Sequence, residues 1–108
     1  MRTYLPIIEK DVSRRLEQHS ILYLVQDLRN VIIAQDSEKI SIRGRVDELA
    51  RNLNSDFYRC HTYLTVNLSR IAKMANCTMI FDNGEELRIG RNNFIKARRA
   101  YNAYLMKL

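Results

Sequence analysis

The spacing of apolar side chains changes character along the chain. Tyr4 to Ile8 is a short apolar segment, and Ile21-Leu22-Tyr23-Leu24-Val25 is an unbroken apolar run of strand length. Such a run marks a strand covered on both faces. Gln26 to Asn30 is polar and turn-like, Val31 to Ala34 resumes strand character, and Asp36-Ser37-Glu38 suits a second turn. Ile40 and Ile42 alternate with Ser41 and Arg43, as in a half-buried strand. Gly44 ends that run. Val46, Leu49 and Leu53 then recur at helical spacing with polar residues between them, which predicts an amphipathic helix of about two turns.

Phe57 to Val66 reads as strand again, rich in aromatic and β-branched residues. Asn67 to Arg70 is turn-like, and Ile71 to Met74 with Cys77 to Phe81 makes a strand pair. Asn83-Gly84 is a strong hairpin signal, with Glu86 to Ile89 as its return strand. Past Gly90 the period becomes helical. Phe94, Ala97, Tyr101, Tyr104 or Leu105, and Leu108 share one face, and Asn92 or Asn93 stands where a cap belongs. The pattern predicts one mostly β domain over residues 1–108, a meander of antiparallel hairpins with a short middle helix and a C-terminal helix.

Charge sharpens this picture. The chain carries 18 Lys and Arg against 12 Asp and Glu, a net charge of +6. Residues 1–86 balance, whereas residues 87–108 hold Arg88, Arg91, Lys96, Arg98, Arg99 and Lys107 and no acid. The excess therefore rides on the C-terminal helix and the loop before it, a pattern that draws polyanions such as DNA or RNA. A basic helix that merely aids solubility is the alternative that charge alone leaves open. No apolar run nears the roughly 20 residues needed to span a bilayer, and the N-terminal MRTYLPIIEK is broken by charge at once, so a cytoplasmic protein is expected.

Catalytic chemistry has little to work with. Three scattered glycines cannot form a phosphate-cradling loop, and no GxSxG elbow occurs. Metal-ligand candidates reduce to His19, Cys60, His61 and Cys77, too few at close spacing for zinc. Adjacent Cys60 and His61 would point to opposite faces of a strand, which also spoils a thiol–imidazole pair. The two cysteines are read as small apolar fillers, with no disulfide. No enzyme, cofactor or metal is expected.

The stretch Phe57-Tyr58-Arg59-Cys60-His61-Thr62-Tyr63-Leu64-Thr65-Val66-Asn67 resembles the central signature of the LytTR family, roughly F-[FY]-R-x-H-[RNK]-S-[YF]-x-V-N. Phe57, Arg59, His61, Val66 and Asn67 stand in register with it. The resemblance extends upstream to Ile21-Leu22-Tyr23-Leu24 and Val46-Asp47-Glu48-Leu49, and downstream to Ile71, the Asn83-Gly84 hairpin and Leu87-Arg88-Ile89-Gly90-Arg91. Arg59-Cys60-His61 is worded like the AgrA-like, quorum-sensing branch of that family.

This resemblance implies about ten short strands in elongated, stacked antiparallel sheets, and DNA binding through loops placed in successive major grooves. It implies the output domain of a two-component response regulator acting on promoters, with RNA polymerase as a partner; such domains are typically joined to an N-terminal receiver, so these residues are expected to be either one domain of such a protein or a stand-alone regulator. Base contacts would come from Arg29 and Asn30 in the first loop, Thr62 in the second and Arg91 in the third, with Asn92 and Asn93 behind it. Arginine can donate two hydrogen bonds to guanine, and asparagine can pair with adenine. Arg59, His61, Tyr63 and Lys96 would support these loops or face phosphates. Thr62 and Tyr63 depart from the pattern's basic residue and serine, and Gly90 replaces a common serine, so the preferred DNA sequence is its own. The competing reading is an RNA- or protein-binding β module with a basic helix. A single-strand RNA binder would want aromatics gathered on one sheet face, yet the tyrosines are scattered.

Overall fold

The computed structural model describes residues 3–108. Among these residues ten strands and two α-helices follow one another. A two-stranded sheet pairs β1 (Tyr4–Ile8) with β2 (Ser13–Glu17). The five-stranded sheet has the order β5-β4-β3-β7-β6, formed by β3 (Ile21–Asp27), β4 (Asn30–Gln35), β5 (Lys39–Arg43), β6 (Phe57–His61) and β7 (Leu64–Asn67). The third sheet has the order β10-β9-β8, from β8 (Ile71–Ala75), β9 (Thr78–Phe81) and β10 (Glu86–Arg88). Helix α1 spans Val46–Ala50 and α2 spans Arg91–Met106. All pairings are antiparallel, and the molecule measures 41 × 29 × 23 Å. The expected mostly β, elongated architecture is what the chain adopts.

The five-stranded sheet is the middle layer. Leu24, Val31, Ile33 and Ile42 pack on one face with Leu5, Ile7 and Leu16 of the β1–β2 hairpin and Val46 of α1. Tyr23, Ala34, Cys60, Leu64 and Val66 pack on the other with Met79, Phe81, Ala97 and Tyr101. Side chains of β3 enter both clusters, which explains its unbroken apolar run. A bulge between Ile21 and Tyr23 shifts the alternation, so Ile21 and Leu24 share a face.

The structure departs from the sequence reading at several places. Strand β2 was not foreseen, because Leu16 is the single apolar residue of Ser-Arg-Arg-Leu-Glu; pairing with β1 and burial of Leu16 make it a strand. Phe57 to Val66 is not one strand but the β6–β7 hairpin, turning at Thr62-Tyr63 without Gly, Asn or Pro. Helix α1 is shorter than two turns, and Leu53 packs from the segment behind it. Cys77 lies in the β8–β9 turn, where Asn76 and Cys77 have φ of 51° and 59°. Helix α2 starts at Arg91 on an uncapped Gly90, so neither Asn92 nor Asn93 caps it. Its buried face runs through Phe94, Ala97, Ala100, Tyr101 and Tyr104, leaving Leu105 and Leu108 exposed.

Candidate nucleic-acid interface

Antiparallel pairing sends alternate turns to opposite ends of the middle sheet. At one end lie the β3–β4 turn (Leu28-Arg29), the β6–β7 turn (Thr62-Tyr63) and the Gly44-Arg45 corner that leads into α1. Main-chain bonds tie them: Gln26 N–H donates to the Tyr63 carbonyl at 2.8 Å, and Gly44 N–H to the Arg29 carbonyl at 3.0 Å. The Gln26 side chain completes the tie. Its Nε2 donates to the carbonyls of Leu28 (3.0 Å), Asn30 (3.1 Å) and Gly44 (2.9 Å), while its Oε1 accepts from Val46 N–H at 2.9 Å. One amide thus holds two turns in fixed register. Gly44 has φ of 152°, open to glycine and strained for other residues.

Helix α2 runs back along β6. Its Tyr104 lies near Asp56 and Leu68, just before β6 and just after β7, and Ala97 packs in the same cluster as Cys60 and Leu64. From Tyr104 to Arg91 the helix covers roughly 20 Å at about 1.5 Å per residue. From Asp56 to Thr62 β6 covers roughly the same at about 3.3 Å per residue. The first turn of α2 therefore comes level with the Thr62-Tyr63 turn.

The predicted contact residues can now be placed. Arg29 and Tyr63 line a common open cleft of about 410 Å³ with Gln26, Leu28, Arg43, Gly44, Arg45 and Glu48. Asn30 opens β4 with its side chain exposed, and Thr62 is exposed at its turn. Arg59 is exposed and donates from Nη2 to the Thr62 carbonyl at 3.4 Å. His61 Nδ1 accepts the Tyr63 N–H at 3.1 Å, and the two rings stand edge to face at 6.3 Å. These contacts form the turn in place of the usual turn residues. Arg91, Asn92 and Lys96 are exposed on α2, with Asn93 half-buried. Arg91 does not line the cleft; it opens α2. The sequence reading missed Leu28, Arg43 and Arg45. A basic excess in linear charge could not flag them, because acids elsewhere in residues 1–86 cancel them.

The opposite end is pinned instead. Arg70, with a side chain 8% exposed, donates to Asp82 at 2.6–3.1 Å, to the His19 carbonyl at 2.6 Å and to Asp36 in the β4–β5 turn. These carboxylates push the Arg70 pKa further up, and Arg70 holds the Asp82 carboxyl below its ordinary value. Tyr23 Oη donates to Glu85 at 2.6 Å, and Lys39 Nζ pairs with Glu85 at 2.9 Å. Burial and the neighbouring Glu85 raise the Tyr23 pKa. Asn67 donates to the carbonyls of Gln18 (3.4 Å) and Ile21 (2.9 Å) and accepts from Ser69 N–H (3.0 Å), so it ties segments together as well as shaping its own turn. Burial pushes the Cys60 thiol up to about 12, which leaves it unreactive at neutral pH. Among the described residues no group of three or more His, Cys, Asp or Glu could hold a metal ion, and no helix is long and apolar enough to cross a membrane.

A mostly β scaffold with exposed polar turns gathered at one end is a frame for presenting loops to a ligand. The LytTr DNA-binding domain family matches residues 11–102, so the chain belongs to that family. Among solved structures it is similar to the LytTr DNA-binding domain of a Bacillus cereus protein described as a methyl-accepting/DNA response regulator. The two share 18% identity, with 94% of this chain and 97% of the other covered at a TM-score of 0.70. No curated protein matches.

Proposed function

We propose that the chain is the sequence-specific DNA-binding output domain of a two-component response regulator acting at promoters. Arg29, Asn30, Thr62 and Arg91 contact base edges. Arg59 and His61 shape the β6–β7 turn, and Tyr63, Asn92, Asn93, Lys96 and the uncapped start of α2 face the sugar–phosphate backbone. The observation that supports this reading is the gathering of three exposed turns at one end of a LytTr-family fold. Two copies on a repeated site supply the buried area that tight specific binding needs. Such a protein works in the cytoplasm, with RNA polymerase and a receiver domain as partners, and a quorum-sensing circuit is the setting its Arg59-Cys60-His61 wording favours.

A mobility-shift series against the promoters beside its own gene tests this. Arg91→Ala should weaken cognate binding and relax base choice at one position by roughly 1–3 kcal/mol, without changing the melting temperature. Equal affinity of wild type and Arg91→Ala for a cognate duplex would remove Arg91 from the interface.

A further inference from the structure

The cleft between the β3–β4 turn and the Gly44-Arg45 corner combines features that the base-reading loops do not account for. Arg29, Arg43 and Arg45 line it, against one acid, Glu48. Arg43 and Arg45 are exposed, and Arg45 pairs with Asp47 through Nε at 3.3 Å, a contact that engages one of its three nitrogens. Tyr63, 56% exposed, lines the same cleft. The floor is rigid, since the Gln26 amide is fully engaged with main-chain groups on both sides. At the rim, Leu28 is 92% exposed and held at φ of 55°, so the turn keeps a conformation that costs a leucine energy.

We propose that this cleft seats one backbone phosphate of the DNA, held by Arg43 and Arg45, and so fixes the register in which Arg29 meets the bases. The inference rests on the DNA-binding reading. A guanidinium is matched to phosphate by its fork of donors, and two of them on a preorganised wall bind without reordering the loop. Glu48 opposes the ligand and tunes the site down. Arg43 and Arg45 would then contribute affinity independent of sequence, in contrast to Arg91.

The test is fluorescence anisotropy of the 108-residue chain with a labelled 20-base-pair duplex of arbitrary sequence, titrated with salt. Replacing Arg43→Gln or Arg45→Gln should each lower the slope of log affinity against log salt by roughly 0.9. The wild-type advantage should therefore shrink about threefold between about 50 and 200 mM salt. Glu48→Gln should raise affinity, an effect that damaged folding cannot mimic. Wild-type binding with an unchanged slope in both arginine variants would overturn the phosphate seat and leave DNA binding standing. If the wild-type chain binds neither this duplex nor promoter DNA, both readings fall.

Discussion

The two ends of the five-stranded sheet use their charges in opposite ways. At one end Arg70 is buried and spends every donor on Asp36, Asp82 and the His19 carbonyl, joining the middle sheet to the three-stranded one. At the other end Arg29, Arg43 and Arg45 are exposed, and the neutral Gln26 does the tying. Charge is internal where the fold must be held and external where a ligand must be met. Neutral side chains can tie turns together at modest desolvation cost, which leaves arginines beside them exposed to a polyanion.

The strongest break of this contrast is Arg70→Met. It should lower unfolding free energy by roughly 2–4 kcal/mol, less than for a fully buried pair because both carboxylates are half open to water. Urea melts measure this, and DNA affinity of the folded fraction should stay the same. Acid probes the same contact. The Asp82 carboxyl is held low by Arg70, so its contribution is present above the unfolded carboxylate pKa of about 4 and is lost as pH falls through the folded value. Stability that rises between neutral pH and pH ~3 would contradict that sign.

Gln26→Leu attacks the other end. Leaving three carbonyls and the Val46 N–H without their partner should cost roughly 1–3 kcal/mol and should also weaken DNA binding. A variant that loses stability but keeps full affinity would separate the amide from the interface. The smallest change is Cys77→Gly. The β9–β10 turn places Gly84 at φ of 92°, while the β8–β9 turn forces Cys77 to 59°. Glycine there should raise stability by about 0.5–1 kcal/mol in thermal melts, with no effect on binding.

Much of this was legible in residue order. The signature from Phe57 to Asn67 placed the family, the alternation in Ile40 to Arg43 placed β5, and the Asn83-Gly84 turn placed β9 against β10. Strand β2 was not legible, and the Thr62-Tyr63 turn was legible only through the family resemblance, which puts a loop after His61. Leu16 alone makes no period, and the turn draws its geometry from the His61 ring and a main-chain bond to Gln26, distant in sequence. The arginine cleft was hidden for a similar reason, because a running charge sum cancels residues that folding later separates.

Local patterning by itself determined which segments become strands or helices and which family the chain joins, since period and turn chemistry act over a few neighbouring residues. Only the tertiary structure decided which turns share an end, which arginine is buried, and which ones stand together in the open. Those outcomes depend on strand pairing across tens of residues, where antiparallel order rather than sequence distance sets what meets.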